Sequence, residues 1–389
     1  MSWLKKRIRP WLVELARRRV GSTRRGPVQS METAETWIAA HPREGRFLAR
    51  QPLWFPPAAV PLNHATVRHP AFQPENFQRQ WGNFVAEIRE AYVTGPSVGV
   101  ITPNRRLIQD VSIEFGHWPH DHGSLRRLLF PKPRRLRGRW ALLATTGGDS
   151  YYHHMIEVLP KFPMLREAGL VPGDLAGWIV NGVAHAYQKE SWTRLGLSPA
   201  TLRTTGKGAY YHCESLVIPS LPAMPGSLRP ETPDFLRTLF GWRPAATPSR
   251  LLYLHRINTP SRQLLDQEEL WRLLSRMGFE KVVAETLPVA DQARLFAGAK
   301  MVVGPHGGGM TNLVFAPPGC GVVEIFNPRY VNSCYWRMAW AAGLSYAYVL
   351  GENPGAAGET ALPGDASGHI RLGTGGLRQV EELVAAMLG

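Results

Sequence analysis

The sequence predicts an α/β fold organised as two Rossmann-like domains, and three observations carry that prediction. The chain has 389 residues, whereas single cores stop growing near ~250–300 residues. From residue 251 onward, short apolar runs alternate with amphipathic ones, the pattern of βαβ units around a parallel sheet. Between the halves, residues 241–250 (GWRPAATPSR) gather Gly, Pro and small polar residues, as a linker does.

In chain order, Leu4, Ile8, Trp11, Leu12 and Leu15 recur at helical spacing while Lys and Arg fill the other side, so the first 20 residues read as a basic amphipathic helix. Trp3, Lys5, Lys6, Arg7 and Trp11 suit the interface of an anionic membrane. A solvated terminal helix is the plainer alternative. Residues 41–80, rich in Pro, His and Phe, show no sustained period and read as irregular wrapping. Strands follow at 98–101, 140–144, 177–180 and 215–218, with helices near 152–168 and 186–195. After the linker come strands 251–254, 281–284, 301–304, 322–326 and 347–350, separated by helices at 266–277, 288–298, from 308 and from 332. A last helix covers 377–388. The division expected is a segment 1–27, domains 28–244 and 245–375, and a terminal helix 376–389.

Composition narrows the class. With 44% hydrophobic and 19% charged residues the chain is globular rather than disordered. The net charge of +15 resides in two places: residues 1–25, with nine basic side chains against Glu14, and residues 126–139, with seven and no acid. The remainder balances, which describes a neutral body with two basic patches. Cys213, Cys320 and Cys334 are odd in number and lack metal spacing, so neither a disulfide framework nor a zinc site is expected. No signal-peptide or membrane-spanning run is read, and the expected location is the cytoplasm, peripheral at the inner membrane face.

Three segments have chemistry-bearing patterns. In 302–326, VVGPHGGGMTNLVFAPPGCGVVEIF, a buried strand meets Pro305-His306-Gly307-Gly308-Gly309 and then a helix. Glycines admit phosphate oxygens to backbone N–H groups, the helix start favours negative charge, and His306 and Asn312 can add donors. Such turns also serve packing alone. In 151–162, YYHHMIEVLPKF, His153 and Glu157 stand four apart on one helical face, an imidazole beside a carboxylate suited to proton transfer. In 251–262, LLYLHRINTPSR, a strand ends near Arg256, with Arg262 beyond it, where a guanidinium can fork onto a pyrophosphate. Glu324 ends a strand as a ribose-hydroxyl acceptor would. The cluster His117, His120, Asp121, His122 reads as a solvated turn rather than a metal site. Absence of D-x-D, G-x-x-x-x-G-K-[ST] and G-x-G-x-x-G argues against metal-dependent single-domain transferases, P-loop enzymes and nicotinamide enzymes. A G-x-S-x-G match at 95–99 precedes the HGGG segment, the reverse of the esterase order, so a hydrolase is the lesser alternative.

Over residues 140–350 these motifs resemble glycosyltransferase family 61: YHHMIEVLP, the arginine pair around Ser261, Asp266-Gln267-Glu268-Glu269-Leu270, Glu285 through Gln292 to Ala299, and GPHGGGMTNLVFAPPG followed by Glu324. The resemblance implies a two-domain GT-B-like enzyme that inverts the anomeric centre without a metal. It implies a nucleotide-diphosphate sugar as donor, a UDP-sugar foremost, no further cofactor, and a saccharide or lipid-linked saccharide acceptor in bacterial capsular polysaccharide synthesis. His153 and Glu157 fall on the motif histidine and acid. Arg256, Arg262, His306, Gly307, Gly308, Gly309, Asn312 and Glu324 fall on the donor-domain pattern. His154 stands where Trp is usual, Gly308 where Ala is common, and Asp266 where Asn is frequent. The competing class is a polyanion-binding module using the two basic clusters; these lack the interleaved aromatics of a base-stacking platform, so no nucleic acid is expected.

Overall fold

The structure, a computed structural model, describes residues 12–14, 25–51, 60–63, 68–73, 82–115, 121–223, 228–257, 262–352 and 368–389. The membrane-facing residues read from sequence, Trp3, Lys5, Lys6, Arg7 and Trp11, lie outside them, as do His117, His120 and Ser261. The chain forms two compact units, Met1–Trp54 with Trp81–Pro222 and Phe55–Gln80 with Ala223–Gly389.

In the first unit, strands β1 (Ser30–Glu32), β2 (Gly45–Arg50), β3 (Phe84–Arg89), β4 (Tyr92–Thr94), β5 (Gly99–Ile101), β6 (Arg106–Ile108), β7 (Arg134–Leu142), β8 (Gly177–Val180), β9 (Leu202–Thr204) and β10 (Tyr210–Pro219) form one mixed sheet. The long β10 is its centre. It runs antiparallel to β3 and β4, which line up along one side, and parallel to β7 on the other. Strands β7, β8 and β9 continue the parallel part. Buried on both faces over most of its length, β10 needs the apolar run that the sequence supplies. Strand β2 replaces part of the irregular segment expected at 41–80; its half-exposed GRFLAR pairs antiparallel with β3.

In the second unit, β11 (Arg250–Leu254), β12 (Glu280–Val282), β13 (Ala299–Pro305), β14 (Gly321–Phe326) and β15 (Ser345–Leu350) form a parallel sheet ordered β12-β11-β13-β14-β15. This doubly wound order reverses between β11 and β13, and ligands of such sheets bind beyond the carboxyl ends at that reversal. All six residues of β14 are buried, as a central parallel strand requires. The helix Gln267–Arg276 turns Leu270, Leu273 and Leu274 inward. Leu270 and Leu274 share a core with Val380 and Val384 of the final helix, Gly373–Leu388.

The units part at Pro222 rather than at 244. Helix Thr232–Leu239 belongs with the second because Arg237 donates to the carbonyls of Val314 and Ala316 at 2.8 and 2.7 Å. Part of 41–80 also joins this unit. Asn63 bonds the backbone of Tyr348 through both ends of its amide, and the buried Phe72 stacks on the Tyr348 ring at 4.1 Å.

Asp266 fastens the C-terminal helix. Its carboxylate accepts from Leu372 N at 2.9 Å and Gly373 N at 2.8 Å, backbone donors at that helix start. Asp266→Ala is expected to cost ~1–2 kcal/mol, read as a lower urea midpoint, and Asp266→Asn, which keeps one oxygen, less.

Candidate active site

Two clusters of sequence-selected residues form, one in each unit. In the first unit the chain leaves β7 through Thr145-Thr146-Gly147-Gly148-Asp149-Ser150. The Asn181 amide pins this loop, accepting from Thr145 N at 3.0 Å and donating to Thr145 O at 2.6 Å. Gly147 adopts φ +77°, and a Cβ there would lie 3.0 Å from His153 Cδ2. The loop opens into one α-turn (Tyr151–His153), a π-helical turn (His154–Val158) and an α-helix (Lys161–Glu167), in place of the continuous helix expected over 152–168. Such wide turns recur at functional sites.

Across this turn His153 Nδ1 lies 2.8 Å from Glu157 Oε1, a close contact rather than an aligned hydrogen bond. The Glu157 side chain is 10% exposed and that of His153 24%, so the imidazole is the outer member. Phe115 covers the imidazole at 5.0 Å between ring centres. Lys161, which sequence reasoning passed over, is buried and donates to Ala144 O at 2.9 Å. Burial pushes its ammonium pKa down to about 7, partly offset by Glu157. Its signal was the repeated four-residue spacing, His153, Glu157, Lys161, along one helical stretch.

His154 faces away from this cluster. Fully buried, it packs edge-on against Trp192 and Tyr187, its Nε2 lies 3.1 Å from Ser191 Oγ, and Nδ1 has no partner. Burial pushes its pKa down to about 3. The unfolded chain, with an ordinary pKa near ~6.5, therefore binds the extra proton between these values. Stability gains up to about 1.4 kcal/mol per pH unit as pH rises through that window, and loses it on acidification. His154→Phe is expected to flatten this dependence in denaturation midpoints measured from about pH 6.5 downward.

In the second unit the turn after β13 meets the end of β11 at the sheet's reversal. Arg256 donates through Nη1 to His306 O at 2.9 Å. Burial first, and then the neighbouring Arg262, push its pKa down. Arg262, at φ +53°, lies over the Tyr330 ring at 5.3 Å. A Cβ on Gly307 would come within 2.7 Å of Arg256 Nη1, so glycine leaves room for the guanidinium. Gly308 and Gly309 open a 3₁₀-helix, Gly308–Phe315, where an α-helix was expected; side-chain space at Gly308 is open.

His306 is buried among Phe326, Tyr330 and Tyr335, and its Nδ1 lies 2.5 Å from Glu324 Oε1. Tyr346 donates to the other carboxylate oxygen. Burial and the adjacent Glu324 raise the Tyr346 pKa, which keeps that phenol protonated. Glu324 is thus wholly buried with both oxygens engaged inside the protein, and the ribose-acceptor role read from sequence is corrected: it orients His306. Asn312 is likewise not a ligand donor. Buried, its amide NH₂ serves Gln292 Oε1 and Gly309 O and fixes the glycine turn.

The G-x-S-x-G match lies in the hairpin between antiparallel β4 and β5, not in the strand-to-helix turn of a nucleophile elbow, which removes the hydrolase alternative. Among the described residues no group of three or more His, Cys, Asp or Glu could hold a metal ion.

A family model described as Glycosyltransferase 61 matches residues 151–323, spanning both clusters. The chain is 28% identical over 153 residues to an EGF domain-specific O-linked N-acetylglucosamine transferase of Drosophila melanogaster, covering 34% of this chain and 29% of that protein. It is 32% identical over 94 residues to the Mus musculus protein of the same name, covering 23% of this chain and 18% of that protein. The chain therefore spans less than a third of the length of the relatives it matches. His153, Glu157, Arg256, His306 and the glycine turn all lie inside the matched segment, so both clusters fall in the part of the chain that is similar to the glycosyltransferase 61 family.

Proposed function

We propose that this chain transfers a sugar from a nucleotide diphosphate to a saccharide or lipid-linked saccharide hydroxyl, with inversion and without a metal. The observation that carries the reading is the Arg256 guanidinium, held at the reversal of a doubly wound sheet by His306 O and given its room by Gly307. Arg256 and Arg262 offset the diphosphate charge as it grows on the leaving group, the task a divalent cation performs elsewhere. His306, held by Glu324, fixes the carbonyl that holds Arg256.

The first unit supplies the proton acceptor. His153 is the outer and more accessible member of its pair, so it takes the acceptor hydroxyl's proton while Glu157 orients the ring and steadies its positive charge. The acceptor oxygen then attacks the anomeric carbon, the bond from that carbon to the diphosphate oxygen breaks, and the nucleoside diphosphate departs with the electron pair. The division of labour, donor in the second unit and acceptor activation in the first, is that of a GT-B-like enzyme. Capsular or other cell-surface polysaccharide synthesis is the setting the family resemblance favours, and the names of the relatives make UDP-N-acetylglucosamine the first donor to try.

Release of UDP from a panel of UDP-sugars, with oligosaccharide acceptors and excess EDTA, tests the reading. EDTA-resistant release that needs His153 is expected. Release abolished by EDTA, or unaffected by His153→Ala, overturns it.

A further inference from the structure

Arg25, the last basic residue of the first charged stretch of the sequence, lies against the second, residues 126–139, on the first unit. The Arg25 carbonyl accepts from Phe130 N at 2.9 Å, and its Nε donates to Phe130 O at 3.0 Å. Phe130 is buried in a core with Val28, Tyr92 and Tyr210, and this anchors the segment. Just before the anchor, Leu128 and Leu129 are exposed, by 37% and 55%. They line, with Arg25, Arg127, Phe130 and Pro131, an open concavity of about 510 Å³. Beyond it Lys132, Arg134 and Arg137 are exposed and form no salt bridge among the described residues. Arg135 and Arg139 are instead paired with Glu90 and Glu87.

We infer that this surface, Arg25 with residues 126–137, docks on an anionic lipid bilayer. Two adjacent exposed leucines on a buried aromatic anchor, ringed by cations, match the layering of such an interface: acyl chains outward of the loop tip, phosphates level with the guanidinium groups. A nucleic-acid groove needs the charge without the leucines, and these two would face its phosphates. The concavity, flanked by Arg25 and Arg127, has room for a lipid headgroup. The inference rests on the charge and shape of this surface and is independent of the transferase reading.

Flotation of the full chain with vesicles tests it, comparing an equal mixture of phosphatidylcholine and phosphatidylglycerol with phosphatidylcholine alone. Binding is expected only to the anionic vesicles. Lys132→Glu with Arg134→Glu should weaken it by well over tenfold at low salt, since each cation near the surface is worth about fivefold. Leu128→Ser with Leu129→Ser, which keeps every charge, should weaken it about tenfold and remain visible at raised salt. Unchanged thermal unfolding shows that each variant folds. No vesicle binding, binding unaltered in both variants, or binding to a DNA duplex that equals vesicle binding and ignores the leucine changes would each overturn the inference.

Discussion

His153→Ala is expected to lower kcat by ~10³, within the range that a positioned general base contributes. Glu157→Gln should cost ~10–100-fold, because the imidazole keeps its place at the mouth of the pair and loses only the carboxylate that orients it. The order of these two effects is the informative quantity. His153 Nδ1 faces Glu157 Oε1 at 2.8 Å and the carboxylate is the deeper of the two groups. An orienter behind a base predicts the smaller loss for the inner residue, measured as kcat at saturating donor and acceptor. If Glu157 were the base itself, Glu157→Gln would be the inactive variant and His153→Ala the partly active one.

The second large effect concerns donor affinity. Arg256→Ala should weaken binding of a nucleoside diphosphate by ~10–100-fold, the cost of one charge-assisted contact to phosphate. Gly307→Ala should do nearly the same without touching a charge. Its Cβ would fall 2.7 Å from Arg256 Nη1, so the guanidinium has to shift, and the expected result is a weakened bond to His306 O. Because both changes remove one interaction, the double variant should bind no worse than Arg256→Ala alone, a non-additivity that calorimetric titration of the four proteins reads directly.

The second unit was the more legible half. Its central strands, β13 and β14, are buried along nearly their whole length, so each holds a continuous apolar run such as Val302-Val303 or Val322-Val323, and the helices between the strands show one apolar stripe. The candidate site residues stood out for a related reason: glycines and a histidine cluster at a strand's carboxyl end, where parallel sheets bind ligands. What stayed hidden depends on partners distant in sequence. Nothing local distinguishes a strand-end glutamate facing solvent from Glu324, whose neighbours His306 and Tyr346 come from other elements. Asn63 and Phe72 look like loop residues until β15 lies beside them. The half-exposed β2 lacks a clean alternation, and a π-helical turn has no periodicity that five residues could display. Lys161 was concealed by its type, since lysine is almost never fully buried without a specific purpose.

The most direct test of the central claim, that the Arg256–His306 turn holds a nucleotide-diphosphate sugar, is a thermal-shift titration of the wild-type chain and Gly307→Ala with UDP-N-acetylglucosamine and other nucleotide sugars in EDTA. Ligand bound to the folded state raises the melting temperature with concentration. The account predicts such a rise for one nucleotide class in the wild type and its loss in Gly307→Ala, with the unliganded melting temperatures alike. A rise of equal size in both proteins would contradict it.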